Sequence, residues 1–224
     1  MTTAFAYIDG AAAELVPSYL RSALFTLATH RDAQQSPVKA LASLRVIVDV
    51  ARRQIDLAGT AEEAHSARVR LTDAAVIGLL RFARAALDGD AESMIAPVSC
   101  VAIGNYASAI PTPSFAGGLL VLTEERQDLR ARGEAIAGFM AQGLAELGVE
   151  IETFAKTVKE AVKLLALPTF AEWRRQRRLM IAGQQALFAR FQRQASSAID
   201  LERDTALANQ VATRSHGRRG LRWT

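Results

Sequence analysis

A change of apolar period at Pro97 does most to limit what this chain can become. Before it, apolar residues recur three and four positions apart, the spacing that lines one side of an α-helix. Leu41, Leu44, Val48, Ala51 and Ile55 form one such stripe, and Val69, Val76, Leu80, Ala83 and Leu87 a second. The first opens at Ser36-Pro37 and closes at Gly59, residue types that start and stop helices. The second begins near Thr60 or Ser66 and ends in Asp88-Gly89-Asp90. Helix is therefore expected from Ala11 to about Leu87, punctuated by Pro17 and Pro37. Beyond Pro97 the apolar segments shorten. Val98 to Ile103 is partly β-branched and is halted by Gly104, so a strand is expected there. Residues 105–115 read as loop, with Pro111 and Pro113 inside it, and Leu119 to Thr123 as a second strand. Glu125 to Leu147 returns to the helical period, with Leu129, Ile136, Phe139, Met140, Leu144 and Leu147 as its buried stripe and Gly148 as its stop. Val149 to Phe154 alternates apolar and polar residues, the signature of a half-buried strand. Helices are expected over 157–166, over 169–194 and on to about Val211, followed by a loose tail.

These periods place the chain in the α+β class. Residues 1–92 read as a helical N-terminal segment. Residues 93–167 read as a core with a small mixed sheet of three to four strands, covered by the helix at 125–147. Residues 168–224 read as basic C-terminal helices and a tail.

Composition removes several classes of function. Half the residues are hydrophobic and 22% are charged, which is a globular balance. No apolar run approaches the ~20 residues that cross a bilayer, and MTTAFAYIDG lacks the basic start of a signal peptide. A cytoplasmic protein with no membrane partner is expected. The single cysteine, Cys100, excludes an internal disulfide and a cysteine-based zinc site, and its apolar neighbours make it a core residue. His30, His65 and His216 are scattered and read as surface residues. The net charge of +4 is unevenly spread: residues 168–224 hold eleven arginines against four acids, including Arg174, Arg175, Arg177 and Arg178 in one run. Such a segment suits an acidic partner, a nucleotide or a nucleic acid. No aromatic residues interleave the arginines in the manner of single-strand binders, which argues against nucleic acid.

The stretch VAIGNYASAIPTPSFAGGLLVL at 101–122 carries a resemblance. Strand, glycine turn, loop and strand resemble the nucleotidyltransferase core of the DNA polymerase β superfamily. The similarity is to the group of PII uridylyltransferases and glutamine-synthetase adenylyltransferases, whose pattern is roughly G-G-Y-G-R-G-E-L-x-P-x-S-D-I-D-L-L-L-L. Laid on it without a gap, Gly104, Tyr106, Pro113, Leu119, Leu120 and Leu122 match. GVEIETFAKT at 148–157 resembles the family's G-L-E-V-G-H-S-V-R-T, and AGQQALFARF at 182–191 its A-G-D-x-A-L-F-x-x-L. The likeness extends over about residues 66–192 and implies a phosphate-binding turn at Gly104, Asn105, Tyr106 and Ser108.

The departures fall on the chemistry. The family's paired aspartates correspond to Ala116 and Gly118, neither of which has a ligating oxygen. The second glycine of the turn is Asn105, the basic residue is Ser108 and the glutamate is Ile110. Mg²⁺ demands carboxylates in near-octahedral geometry, and two such ions serve the attacking and leaving oxygens of nucleotidyl transfer. No catalytic residue and no metal are therefore assigned. Glu150 and Glu152 are acidic remnants expected on one sheet face, where the superfamily draws a third carboxylate from a neighbouring strand.

Three readings are open at this point. The first is a degenerate nucleotidyltransferase, a non-catalytic regulatory or binding module whose partner is a protein or a nucleotide held without metal. The second is a working enzyme with relocated acids drawn from Glu124, Glu125, Glu150 and Glu152. The third is a helical interaction or nucleic-acid-binding protein that uses its arginine-rich C-terminal part. No cofactor is expected under the first.

Overall fold

The computed structural model describes residues 12–30, 33, 35–57, 60–88, 97–107, 117–167 and 179–198. Three helices lead: α1 (Ala12–Thr29), α2 (Pro37–Leu57) and α3 (Ala61–Asp88). A strand, β1 (Ser99–Gly104), is followed by β2 (Gly117–Thr123), α4 (Gln127–Glu146), β3 (Glu152–Thr157), α5 (Val158–Ala166) and β4 (Leu179–Gly183). Residues 185–198 form a further helix, α6. The architecture is α+β, a four-stranded mixed sheet between helices.

The sheet order is β3-β2-β1-β4. β1 pairs antiparallel with both β2 and β4, and β2 pairs parallel with β3 through the α4 crossover. Side chains alternate between the two faces of a strand, and here both faces are covered. Cys100, Ala102, Leu119 and Val121 join Ile136, Met140 and Leu144 of α4 in a core that continues through α3, α2 and α1. Val101, Ile103, Leu120 and Leu122 face the other way, onto Val158, Ala161 and Leu165 of α5 and Leu187, Phe188 and Phe191 of α6. Each Val, Leu, Ile, Met or Phe among them contributes roughly 1.5–3 kcal/mol on leaving water. Cys100 is a core residue as expected, and burial pushes its thiol up to about 12.

Local chemistry accounts for the element ends. At α3, Thr60 and Glu63 form a reciprocal capping box: the Glu63 amide donates to Thr60 Oγ1 at 3.3 Å and the Thr60 amide to Glu63 Oε2 at 2.9 Å. Thr157 and Glu160 repeat that arrangement at α5. α4 closes in a Schellman motif, with Val149 N–H on Leu144 O and Gly148 N–H on Ala145 O. Arg52 reaches from α2 to donate to the Gly148 carbonyl at 2.6 Å, which ties the helical half to that turn.

Several expectations need correction. Residues 179–183, expected within a helix over 169–194, are a strand. Leu, Met and Ala favour helix on their own, and pairing with the otherwise open side of β1 draws them into the sheet instead. Gly183 makes the change of direction possible: its φ is +109°, and a Cβ there would run into the Val98 carbonyl. Residues 179–198 thus add β4 to the sheet and α6 to the core on its α5 side. The strand expected at 149–154 starts three residues later, because Val149 leaves the helix end pointing into the α-helical core. Pro17 lies inside α1 without ending it. Leu87, assigned to a buried stripe, is exposed at the end of α3. His65 is buried: it stands one turn before Val69 and shares its side of the helix. His30 is exposed, and His216 lies outside the described residues. Among the described residues no helix is long and apolar enough to cross a membrane.

Candidate functional site

Three of the residues singled out by the resemblance, Gly104, Gly118 and Glu152, lie at one end of the sheet. β1 finishes at Gly104, whose φ of +66° lies in the left-handed region, and the chain turns so that Ala107 N–H reaches Gly104 O at 3.0 Å. Across the ladder Gly104 faces Gly117 and Ile103 faces Gly118. On the other side of β2, Gly118 faces Glu152, the first residue of β3. Ile103, Gly118 and Glu152 therefore form one row over three strands. Cross-strand partners project to the same face, so a side chain at 118 would stand beside Glu152 on the α5–α6 side.

That row contains one carboxylate. Glu152 is exposed, Gly118 has no side chain, and Ile103 is apolar and buried. Glu150 precedes the strand and is also exposed, so the pair does not share a sheet face as the alternation suggested. Ala116 and Ser108 lie outside the described residues, as do Arg174, Arg175, Arg177 and Arg178. Asn105 is half-buried in the turn. A two-ion centre needs several oxygen ligands converging within a few ångströms, and these side chains do not fit one. Among the described residues no three His, Cys, Asp or Glu side chains gather in a metal-binding group.

The other acids are engaged elsewhere. Glu124 accepts from Arg190 of α6 at 2.7 Å, and Glu125 accepts from the Lys159 amide at the start of α5, at 3.2 Å. Both follow the C-terminal end of β2. Six residues of strand separate Glu124 from Gly118, about 20 Å at ~3.3 Å per residue. Relocated acids at 124, 125 and 152 cannot share one centre across that span.

Tyr106 turns inward. It is 1% exposed, and its hydroxyl donates to Asp73 Oδ1 on α3 at 2.6 Å. Burial, followed by the charge of Asp73 and the bond itself, drives the phenol well above its ordinary value. Desolvation also raises the Asp73 carboxyl, while the bond from Tyr106 pulls it back down. The ring thus anchors the Gly104 turn to the helical half instead of facing solvent. Asp73 went unnoticed in the sequence, although its position gave a signal: it sits between Val69 and Val76, inside an apolar stripe.

Asp73 also lines a cleft of about 340 Å³ between α1 and α3, with Pro17, Ser18, Arg21, Arg70, Ala74 and Ile77. The spacings 17, 18, 21 and 70, 73, 74, 77 each mark one side of a helix. Comparison with known proteins leaves the geometry to speak for itself: no family model, no curated protein and no solved structure matches this chain.

Proposed function

We propose that this chain is a nucleotidyltransferase-like scaffold that no longer transfers nucleotides and works as a regulatory or binding module. The observation that carries the reading is the row Ile103–Gly118–Glu152 beside the Gly104 turn. It sets a glycine turn, a strand position that is acidic in the resembling family, and a carboxylate from the neighbouring strand side by side. Support comes from the mixed order of the sheet, in which an antiparallel pair continues into a parallel crossover. The chemistry then argues against transfer. With Ala116 and Gly118 at the paired positions, Glu152 alone would have to hold two divalent ions against their water shells. Tyr106, committed to Asp73, provides rigidity to the turn and no contact surface. A protein is the partner such a module would serve, with a nucleotide held without metal as its one small-molecule option at this end.

The test is incubation with α-labelled ATP or UTP, with and without Mg²⁺ or Mn²⁺, scored for released pyrophosphate and for bound label. We expect no pyrophosphate, and any bound label to be indifferent to the metal. Metal-dependent pyrophosphate release would overturn the proposal in favour of an enzyme.

A further inference from the structure

The cleft between α1 and α3 has the makings of a second site, which touches the sheet end only through the Asp73–Tyr106 bond. Its charged lining is Arg21, Arg70 and Asp73, above an apolar floor of Pro17, Ala74 and Ile77. Several arginines elsewhere on the surface pair with acids: Arg45 with Asp49, Arg68 with Asp56, Arg126 with Asp128, Arg130 with Glu134 and Glu160. Among the described residues Arg21 and Arg70 have no ion-pair or hydrogen-bond partner. Arg70 does not close on Asp73, three residues along the same helix. Asp73 is itself fixed, since its Oδ1 is held by the buried Tyr106 hydroxyl. The site therefore presents two uncommitted guanidinium forks and one oriented carboxylate. Guanidinium forks match phosphate and carboxylate oxygens two at a time, and a pair of them balances a doubly charged group. The carboxylate repels a bare anion and accepts from a hydroxyl. The volume falls at the small end of ligand pockets.

We propose that the α1–α3 cleft binds a small phosphate monoester that carries hydroxyl groups, its phosphate on Arg21 and Arg70 and a hydroxyl on Asp73. This stands independently of the nucleotidyltransferase-like reading, because none of its contacts involves the Gly104 turn or Glu152.

The experiment titrates the whole chain with glycerol phosphate, inorganic phosphate and glycerol at constant ionic strength, following arginine Nε–H signals by NMR. Glycerol phosphate should bind saturably with a Kd of about 1 mM or tighter, and glycerol should not bind. Arg21→Gln and Arg70→Gln should each weaken it about tenfold, and the double variant should abolish it. Arg53→Gln, an exposed arginine of α2 away from the cleft, should change nothing. Asp73→Asn should bind inorganic phosphate at least as well as the parent, because the repelling charge is gone, and should lose the preference for glycerol phosphate over it. Both arginines are exposed and unpaired, so the variants fold like the parent and circular dichroism verifies this. Absence of saturable binding, or equal binding by the double variant and by Arg53→Gln, would overturn the proposal.

Discussion

Replacing Tyr106 with Phe tests the bond that joins the two halves of the molecule. The substitution keeps the ring in its buried place and removes only the hydroxyl that donates to Asp73 Oδ1. A hydrogen bond to a charged acceptor contributes about 1.5–3 kcal/mol, against roughly 0.5–1.5 for a neutral pair. Asp73 is half-buried, so the lower end applies, about 1.5 kcal/mol while the carboxylate is ionised. The pH dependence has a definite sign. Desolvation raises the folded-state value of Asp73 above that of the unfolded chain, so its proton stabilises the fold. That contribution is complete below the unfolded value, about 3.9, and is lost as pH rises through the folded one. Tyr106 limits the rise; without its hydroxyl the folded value climbs further. The deficit of Tyr106→Phe should therefore grow with pH, from under about 1 kcal/mol near pH 3.5 to about 1.5 at pH 7. Glu63 and Glu160 act in the opposite sense, because their caps lower them and their stabilisation is lost in acid. They are common to parent and variant and cancel in the difference. Urea unfolding from pH 3.5 to 8 reads the effect: at ~2 kcal/mol per molar, 1.5 kcal/mol moves the midpoint by about 0.7 M. Asp73→Asn keeps an oxygen for the tyrosine and removes the charge, so it should lose less than Tyr106→Phe at pH 7. A deficit that is flat or shrinks with pH, or an asparagine variant that loses more than the phenylalanine one, would refute the reasoning.

Four further outcomes are expected. Gly183→Ala should lose at least about 2 kcal/mol by urea unfolding, since φ +109° and the Val98 carbonyl both oppose a methyl; a loss under about 0.5 kcal/mol would contradict this. Gly78→Ala gains about 1 kcal/mol of helix propensity but places a methyl 2.7 Å from Leu24 Cβ, and overpacking at about 1–3 kcal/mol should win. Gly138→Ala, with nothing within 4 Å of the new atom, should raise stability by up to about 1 kcal/mol, and the same sign for both glycines would contradict the packing argument. The double variant Ala116→Asp with Gly118→Asp should release no pyrophosphate from ATP or UTP, because Asn105 and Ser108 still hold no phosphate; release would show an otherwise intact centre.

Where periodicity had a single interpretation, the sequence was legible. Leu41, Leu44, Val48, Ala51 and Ile55 are the buried residues of α2, and the helix stop at Gly148 is a Schellman turn. β1 and β2 fall within two residues of their expected bounds, because β-branched residues between glycines leave little else. Legibility failed where partners decide. The alternation of 149–154 is genuine, but Val149 and Ile151 pack toward the helices, and pairing starts where β2 offers Gly118. LMIAG has no period at all; only the open side of β1 makes it a strand. At the sheet end, the sequence named Gly104, Gly118 and Glu152 but could not give the register that aligns them. The resemblance sets Tyr106 in a phosphate-binding turn, whereas a carboxylate 33 residues upstream claims its hydroxyl.

Asp73 belongs to two arguments, and the chemistry of its two oxygens separates them. One oxygen accepts from Tyr106 and fixes the Gly104 turn to α3. The side chain also lines the cleft with Arg21 and Arg70, where its charge counts. Asparagine preserves an acceptor for the tyrosine while removing that charge, and phenylalanine at 106 removes the donor while leaving the carboxylate. The pair of variants thus changes anchoring and cleft electrostatics one at a time. If Asp73→Asn keeps the stability of the parent and loses discrimination between glycerol phosphate and inorganic phosphate, the carboxylate serves the cleft. If Tyr106→Phe loses stability and still binds glycerol phosphate through Arg21 and Arg70, the hydroxyl serves the fold. A cleft that depended only on general packing would lose binding in step with stability in both variants.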